Sequence, residues 1–432
     1  MTSSPPGSNP APKEAFVWVW LPNATAPVVA GRLAKGPGNT LQFNYGRSYL
    51  DRREAIALFD RELPLQAGEQ APLAGLSMPG CLRDASPDAW GRRVIINRTM
   101  GLAGDAAAAV DLDELTYLLE SGSDRIGALD FQASATAYVA RVGQSAPLAT
   151  LLEAAELVER GVPLSPELDL ALRHGSSLGG ARPKAMLEDG DTKLIAKFSA
   201  SNDLYSVVKA EFIAMRLALA CDLKVAPVRL ARALGKDVLL IERFDRVRAN
   251  DGWQRRAMLS ALTLLELDEM MARHASYETL AEIIRHRFVE PRETLRELFG
   301  RLVFNVLCGN TDDHARNHAA FWDGANLALT PAYDICPQVR TGNVASQAML
   351  IQGTQHQSQL ATCCAAASVF LLTAAEALAI VRAQIDIIRR EFDRVCDEAA
   401  VTAVDRALFR GRQFLNPYAF EGMETELDAT PL

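Results

Sequence analysis

One stretch of the 432-residue chain concentrates side chains that could do chemistry. Residues 307–337, LCGNTDDHARNHAAFWDGANLALTPAYDICP, place aspartates, histidines and asparagines between an apolar helical pattern and a short apolar segment. Carboxylate and amide oxygens suit Mg²⁺, whereas histidine nitrogens suit zinc. Three interpretations of this stretch are therefore open: phosphoryl transfer with a metal, metal-assisted hydrolysis, and a solvated turn without chemistry. The rest of the sequence is needed to choose between them.

The spacing in this stretch matches the catalytic loop of kinases, in which an Asn follows the catalytic Asp by five positions. Asp312 and Asn317 have this spacing, and Asp334 follows in AYDICP. We expect Asp312 to accept or orient the proton of an acceptor hydroxyl, and Asn317 and Asp334 to hold Mg²⁺. Arg316 is expected to balance phosphate charge, and His314 to orient the loop by hydrogen bonds.

A zinc site is the rival interpretation. His314 and His318 are four residues apart, like the histidines of the H-E-x-x-H zinc motif. Ala315 stands where that motif has its general-base Glu, which favours the kinase interpretation. A polar turn without chemistry explains any single Asp but not the ordered set.

The other parts of the kinase pattern lie upstream and in the same order. Gly179 and Gly180, in SSLGGARPKAML, lack a Cβ and permit a close approach of the backbone to phosphate oxygens. Lys197 lies in the apolar strand TKLIAKFS, where an ammonium needs an anionic partner. ATP phosphates and Glu211 on the next predicted helix would supply that partner. Taken alone, Lys197 fits an edge-strand lysine that reaches water at least as well.

The surrounding elements predict an α+β, protein-kinase-like bilobal fold, with a mixed α/β N-terminal part and an all-helical C-terminal lobe. Residues 1–14 are expected to be a disordered tail, because they are rich in Pro, Ser and Gly. Residues 15–145 mix strand patterns (FVWVWL, TLQFNY) with helical ones and predict an N-terminal α/β subdomain. Residues 146–246 contain, in this order, a glycine loop, a hairpin with an Asp-Gly turn, a helix and a strand. The N-lobe of a kinase has the same order of elements. Residues 247–432 predict a helical C-lobe that carries the catalytic loop.

Composition excludes several functional classes. A net charge of −8 argues against a protein whose main partner is a nucleic-acid backbone. Seven cysteines without a C-x-x-C pair fit reduced thiols in the cytoplasm. The apolar run 360–381 contains an S/T-x-x-E capping box at Thr373 and Glu376, which starts a new amphipathic helix. We therefore expect no signal peptide, no membrane span and no membrane partner.

Several of these segments together resemble the HipA family, the serine/threonine kinases that are toxins of bacterial toxin–antitoxin pairs. They are SSLGGARPKAML, LIAKF, LLIERFDR, GNTDDHARNHAAFWD and LTPAYDICP. The resemblance is strong over residues 170–340 and looser over the N-terminal domain and the C-terminal helices. The most specific motif is D-x-H-x-[KR]-N followed by Y-D.

The resemblance implies ATP and Mg²⁺ as cofactors. Lys197 resembles the family's ATP-binding lysine, and Glu242 and Phe244 in IERF resemble its adenine-contacting hinge. The catalytic Asp and the magnesium ligands of the family match the positions assigned above from spacing. The family's usual partner is a small helix-turn-helix antitoxin of the HipB type, through which DNA binding is indirect. Its usual targets are translation enzymes such as aminoacyl-tRNA synthetases.

The resemblance also implies a regulatory serine. In the family, a serine just before the glycine loop becomes autophosphorylated, which removes the loop from the site and silences the kinase. Ser177 matches this position, and Ser176 is the neighbouring candidate. A phosphate there carries close to two negative charges and cannot share the pocket with the phosphates of ATP.

Two departures from the family pattern leave alternatives open. Arg316 stands where the family often has Lys, which keeps the charge but changes the contact geometry. RRAMLSALTLL replaces an acidic, glutamine-containing segment after the hinge, which bears on regulation or substrate docking. A catalytically silent antitoxin-binding co-repressor and a small-molecule kinase are the alternative functions.

Overall fold

The computed structural model describes residues 12–100, 112–143, 146–172, 180–200, 203–338, 340 and 342–427. The chain divides into two compact units, Met1–Ala181 and Arg182–Leu432. Each unit combines antiparallel sheets with helices, which confirms the predicted α+β class. The predicted boundaries after residues 145 and 246 stay predictions, and residues 1–11 of the predicted tail lie outside the described residues.

The first unit is built on a five-stranded antiparallel sheet with the strand order β4-β3-β2-β1-β5. Its strands are β1 (Glu14–Val19), β2 (Val28–Lys35), β3 (Leu41–Tyr45), β4 (Glu69–Gln70) and β5 (Leu129–Gln132). Leu41, Phe43 and Tyr45 are buried while the residues between them are half-buried, so the pattern TLQFNY forms the predicted strand. The helices of this unit are α1 (Arg47–Leu50), α2 (Gly80–Arg83), α3 (Ala89–Met100), α4 (Glu114–Glu120), α5 (Leu148–Arg160) and α6 (Pro166–Leu172).

The second unit begins with a four-stranded antiparallel sheet with the strand order β6-β7-β9-β8. Its strands are β6 (Lys184–Asp189), β7 (Thr192–Phe198), β8 (Val228–Ala233) and β9 (Lys236–Glu242). Asp189 and Gly190 make the predicted hairpin turn, and Gly190 has a φ of 59°, which glycine adopts without steric cost. Helix α7 (Val207–Ala220) connects β7 to β8 and buries Val208, Phe212 and Met215 in the core.

The remainder of the second unit is mainly helical, as predicted. Its helices are α8 (Ala261–Leu264), α9 (Tyr277–Arg287), α10 (Pro291–Cys308), α11 (Leu360–Ala365), α12 (Ala374–Glu398), α13 (Ala403–Leu408) and α14 (Pro417–Phe420).

The prediction of an all-helical C-terminal lobe is wrong in one respect, because this part also contains strands. They are the hairpin β10 (Arg246–Ala249) and β11 (Gly252–Arg255), and the three-stranded sheet of β12 (Ala257–Ser260), β13 (Ala319–Trp322) and β14 (Leu327–Leu329). Strand β12 pairs with β13 across three intervening α-helices, α8, α9 and α10. A pairing between segments so distant in sequence leaves no local pattern from which to predict it.

Helix α10 leads directly into the stretch that contains Asp312. All of its residues from 298 to 308 are buried, so it lies in the core on every side. The helix ends at Gly309, which has a φ of 73°. A Cβ on this residue would lie 2.8 Å from the backbone oxygen of Gln413, so both the turn and the close packing require glycine.

Helix α12 begins at the predicted capping box. The Thr373 Oγ1 accepts a hydrogen bond from the Glu376 backbone at 3.2 Å, and the Glu376 Oε2 accepts one from the Thr373 backbone at 2.8 Å. A new helix therefore starts inside the apolar run 360–381, as predicted. Among the described residues, no helix has both the length and the apolar character that crossing a membrane requires.

Candidate active site

Three charged side chains from different elements of the second unit meet at one point. The Lys197 Nζ on β7 lies 2.6 Å from the Glu211 Oε1 on α7, and it also contacts the Oδ1 of Asp334, which follows β14. Glu211 is buried, whereas 38% of the Asp334 side chain is exposed. Because a buried ammonium is costly without anionic partners, these two carboxylates supply the partners that the strand sequence requires.

The charge states in this cluster follow from burial and pairing. Burial favours a lower pKa for Lys197, but the carboxylates of Asp334 and Glu211 outweigh it and raise the pKa above its usual value. Burial favours a higher pKa for Asp334, but the Lys197 ammonium lowers this pKa to about 2. At Glu211 burial dominates and raises the pKa, although Lys197 opposes the shift. Lys197 and Asp334 are therefore both ionised at neutral pH.

The backbone of Asp334 has a left-handed conformation, with a φ of 58°. Asp is one of the few residues other than Gly that adopt this region readily. The preceding chain is fixed by Ala332, whose backbone nitrogen donates to Lys224 at 2.8 Å and whose oxygen accepts from Ala226 at 2.9 Å. This anchored turn brings the Asp334 carboxylate to Lys197.

The candidate catalytic loop follows α10. Asp312 is exposed, whereas its neighbour Asp313 is buried. His314 precedes a 3₁₀ turn, Ala315–Asn317. The Asn317 backbone nitrogen donates to the His314 oxygen at 2.8 Å, and the Asn317 Nδ2 donates to the Asp312 oxygen at 3.0 Å. The turn thus folds Asn317 back onto Asp312, which brings these two sequence-predicted residues together.

The loop lies close to the segment that carries Asp334. Partial desolvation raises the pKa of the exposed Asp312 carboxyl, His314 acts to lower it, and the negative charge of Asp334 raises it further. His314 also contributes, after Lys197, to the low pKa of Asp334. The Tyr333 hydroxyl, one residue before Asp334, donates to the Arg316 backbone oxygen at 2.7 Å, so the loop and the Lys197 cluster share one region of the second unit.

Arg316 forms an ion pair with a residue outside this cluster. Its Nη2 lies 2.5 Å from the Oε1 of Glu269, the first residue of a 3₁₀ helix, Glu269–His274. The Tyr333 hydroxyl donates to the Arg316 backbone oxygen at 2.7 Å. The assignment of Arg316 to phosphate charge stays a prediction.

The predicted adenine hinge lies at the end of β9. Glu242 is exposed, and its backbone nitrogen donates to Pro227 at 2.9 Å. The ring of Phe244 lies 5.9 Å from that of Phe321 and 5.7 Å from that of Tyr333, measured between centroids. These rings form an apolar surface of the kind that a flat ring system packs against. Contact with adenine stays a prediction.

The glycine loop is only partly described. Ser176, Ser177 and Gly179 lie outside the described residues. Gly180 is exposed, and its φ of 94° lies in the region that favours glycine. Its backbone oxygen accepts a hydrogen bond from Trp90 at 3.4 Å.

The structure gives no support to the zinc interpretation. His318 is buried, and its Nε2 lies 3.2 Å from the Tyr277 hydroxyl. Burial lowers the pKa of His318 to about 3, so its ring is neutral at physiological pH. Within the described part of the chain, no three His, Cys, Asp or Glu side chains are grouped as metal ligands.

The donors in the Lys197 region fit Mg²⁺ by their chemistry. Asp334 offers an ionised and partly exposed carboxylate. Asn317 uses its Nδ2 to bond Asp312, which leaves its amide oxygen as an acceptor. A carboxylate and an amide oxygen, completed by phosphate oxygens and water, form a ligand set that Mg²⁺ prefers. Ligation by these two residues stays a proposal.

Lys184 is a cation of this cluster that the sequence interpretation missed. It lies on β6 directly opposite Lys197 on β7 and is only 3% exposed. Its charge also helps to lower the pKa of Asp334, after the larger effects of burial and Lys197. Like charges opposite one another on paired strands are destabilising, so the pair requires the carboxylates, or an anionic ligand, nearby. The Asp189-Gly190 turn could have revealed this pairing, because a tight turn fixes the register of its hairpin.

The low pKa of Asp334 predicts a loss of stability in acid. Its carboxyl has a pKa of about 2 in the folded protein and about 3.9 in the unfolded chain. The ionised form therefore stabilises the fold above about pH 4, and this contribution disappears as the pH falls towards 2. The free energies of unfolding of wild-type and Asp334→Asn protein should converge over this range in urea titrations. Asp386→Asn, an exposed carboxylate on α12, is the matched control. A wild-type-to-variant difference that stays constant with pH would contradict the assignment.

Comparisons with known proteins agree with the resemblance seen in the sequence. The HipA N-terminal domain matches residues 19–132, and the HipA-like C-terminal domain matches residues 176–403. A curated protein of Sinorhizobium fredii (strain NBRC 101917 / NGR234), Y4mE, is provisionally described as a kinase and is 29% identical over 178 residues. The match covers 38% of this chain and 42% of that relative, so the chain spans less than half of the relative's length.

One solved structure shows the same fold. HipA of the Shewanella oneidensis MR-1 toxin–antitoxin system, solved with HipB and operator DNA, aligns with a TM-score of 0.66 and 18% identity, covering 91% of this chain and 93% of that one. The Helicobacter pylori proinflammatory kinase CtkA aligns with a TM-score of 0.36 and 15% identity over 53% of this chain and 93% of its own, which is too weak to support a conclusion. The predicted HipA-type fold is confirmed. Because the HipA-like C-terminal domain alone matches more than half of the chain, this protein belongs to the HipA family.

Proposed function

We propose that this protein is an ATP- and Mg²⁺-dependent serine/threonine protein kinase that acts in the cytoplasm as the toxin of a HipA-type toxin–antitoxin pair. The observation that carries the proposal is the bonding of Lys197 to both Glu211 and Asp334, together with the hydrogen bond by which Tyr333, the residue before Asp334, contacts the Asp312–Asn317 loop. The lysine, its helix glutamate, the catalytic Asp with its Asn, and a later acidic residue are the parts of the kinase template.

In the proposed mechanism, these side chains hold and align the reacting groups. Lys197, kept in place by Glu211, binds phosphate oxygens of ATP, and Lys184 adds a second positive charge beside it. Bound Mg²⁺, held by Asn317 and Asp334, would neutralise charge on the transferred phosphoryl group. Asp312 orients the acceptor hydroxyl and accepts its proton as the oxygen attacks phosphorus and the bond to the ADP oxygen breaks. Most of the rate enhancement then comes from positioning and electrostatics.

The partners are proposed from the family. HipA of Shewanella oneidensis was solved with HipB and operator DNA, and a small HipB-like helix-turn-helix protein is the proposed antitoxin here. Contact with DNA would then be indirect, which agrees with the net charge of −8. A translation enzyme such as an aminoacyl-tRNA synthetase is the proposed protein substrate.

Asp312→Asn should remove phosphoryl transfer, because the amide cannot accept the proton of the acceptor hydroxyl. With labelled ATP and Mg²⁺, the initial rate of label incorporation should fall about 10²-fold to 10⁴-fold. Asp386→Asn, an exposed position on α12, should leave this rate unchanged. Unaltered incorporation by Asp312→Asn would refute its role. Absence of label in the wild type would favour the silent co-repressor, and transfer only to small acceptors would favour the small-molecule kinase.

Lys184→Gln should weaken nucleotide binding, because it removes one of two cations from a buried cluster. The dissociation constant for ATP with Mg²⁺, measured by calorimetry, should rise about ten-fold, the effect of one charge-assisted hydrogen bond. Lys193→Gln is the control, because Lys193 lies on the same hairpin but pairs with Glu188 at 2.5 Å. Equal affinities of the Lys184 and Lys193 variants would show that Lys184 has no part in binding.

Ser177→Ala should abolish self-labelling while Mg²⁺-dependent ATP hydrolysis persists, because only the acceptor is lost. Mapping of the labelled peptide in the wild type, with Ser176→Ala as the companion variant, identifies the modified serine. Label that survives Ser177→Ala and disappears in Ser176→Ala would move the assignment to Ser176.

A further inference from the structure

A buried hydrogen-bond network lies behind the candidate catalytic loop. Asp313, which is 1% exposed, accepts a hydrogen bond on its Oδ2 from the Tyr277 hydroxyl at 2.5 Å. The same oxygen accepts from the Asn305 Nδ2 at 3.3 Å, and the Oδ1 accepts from the Ala348 backbone at 3.3 Å. The His318 ring lies on the other side of the Tyr277 hydroxyl, at 3.2 Å.

The network joins the loop to three separate parts of the second unit. Tyr277 is the first residue of α9, Asn305 lies in the last turn of α10, and Ala348 lies in the segment before α11. The start of the loop is held by the same elements. The Asn310 Nδ2 donates to the Asn305 Oδ1 at 3.0 Å, and the Gln347 Nε2 donates to the Asn310 backbone at 3.0 Å. The Asp313 side chain and the start of the loop at Asn310 are therefore held by the same surrounding elements.

Burying the Asp313 carboxyl costs desolvation free energy, which a purely structural role does not require. Burial raises its pKa to about 7, although hydrogen bonds from Tyr277, Gln347, Ala348 and Asn305 oppose the shift. An apolar side chain of similar size would fill the space without this desolvation cost. What the carboxylate provides, and an apolar group does not, is a directional attachment for the loop.

The loop residue next to this attachment is Asp312, which is exposed. Asp312 and Asp313 lie outside any helix or strand, and these consecutive side chains have opposite surroundings, one exposed and one buried. Holding the Asp313 carboxylate in the interior therefore keeps the Asp312 carboxylate on the exposed side of the loop, which the hydrogen bond from Tyr333 to Arg316 joins to the segment that carries Asp334. The Asn317 bond to the Asp312 backbone oxygen fixes the same residue from the other direction.

We propose that Asp313, held by Tyr277, is the positioning residue for the Asp312 carboxylate in phosphoryl transfer. This proposal rests on the proposed kinase function. The Tyr277 hydroxyl and the Asp313 carboxylate do not touch the reacting atoms, and they act only through the place that they give to Asp312. Loss of either partner therefore lowers the rate of transfer, while Lys197, still held by Glu211, keeps its proposed contact with the nucleotide.

The test compares Tyr277→Phe with the wild type at saturating and limiting ATP, with label incorporation as the readout and calorimetry for ATP binding. Because a displacement of about 1 Å costs about 10²-fold in rate, kcat should fall at least ten-fold while KM and the ATP dissociation constant stay within two-fold. Tyr45→Phe is the matched control, because its buried hydroxyl also makes two hydrogen bonds, to Leu58 and Leu63 in the first unit. Tyr45→Phe should leave kcat, KM and the ATP dissociation constant unchanged.

Asp313→Asn provides the second variant, because it keeps the side-chain shape but puts an amide in the carboxylate's place. It should reduce kcat as Tyr277→Phe does, and the double variant should be no slower than the slower single variant, since both act through one attachment. Unchanged kcat in both variants, or losses of ATP affinity that account for the whole effect, would overturn the positioning role. The positioning role would also be overturned if the two single-variant reductions in kcat multiplied in the double variant. A wild type without any transfer would instead overturn the kinase proposal itself, and with it this one.

Discussion

The whole candidate site depends on neutralising one ammonium group. Lys197 projects from an apolar strand, so its charge is tolerable only where carboxylates reach it. One of them, Glu211, comes from the helix that follows the strand, and the other, Asp334, comes from a segment beyond the last strand of a different sheet. The ion pairs thus form only if three distant parts of the chain are correctly placed at the same time. Sheet register, helix position and the left-handed turn at Asp334 must all be correct before the charges balance.

The positive and negative charges of this cluster nearly cancel without a ligand. This is compatible with a site that binds a polyanion together with a metal ion. Lys184 and Lys197 supply two positive charges, and Glu211 and Asp334 oppose them. The carboxylate of Asp334 has the lower pKa and is the more exposed, so it is the one that a cation from solution can reach. Glu211 stays buried with the lysine. The two acids therefore differ in pKa and in access to solvent, because burial dominates at Glu211 whereas the neighbouring cations dominate at Asp334.

Much of this arrangement could be predicted from the sequence because its determinants are local. The Asp189-Gly190 turn defines a hairpin, the five-position spacing of Asp312 and Asn317 defines a turn, and both are present. The same hairpin contained the position of Lys184, which we overlooked although the register follows from the turn. What could not be predicted depends on contacts between remote segments. Tyr277 meets Asp313, Glu269 meets Arg316, and β12 pairs with β13 only in the folded chain.

Asp313 shows a further reason why sequence reasoning stops short. The five-position spacing to Asn317 selects Asp312 and gives no role to Asp313, and nothing in the sequence around this pair distinguishes a buried acid from an exposed one. Only the donors of Tyr277, Asn305 and Ala348 explain its burial. Two adjacent aspartates of identical chemistry therefore have opposite surroundings. The tertiary structure determines which of them is buried and which is exposed.

The packing of Gly309 has a consequence for the order in which the protein matures during synthesis. The end of α10 is completed by residues from the C-terminal region, because Leu415 donates to the Leu307 oxygen at 2.7 Å and the Gln413 backbone packs on Gly309. A ribosome makes these residues long after α10. The entrance to the loop therefore reaches its final shape only when this late segment has emerged. A nascent chain that ends before residue 413 lacks these contacts at the end of α10.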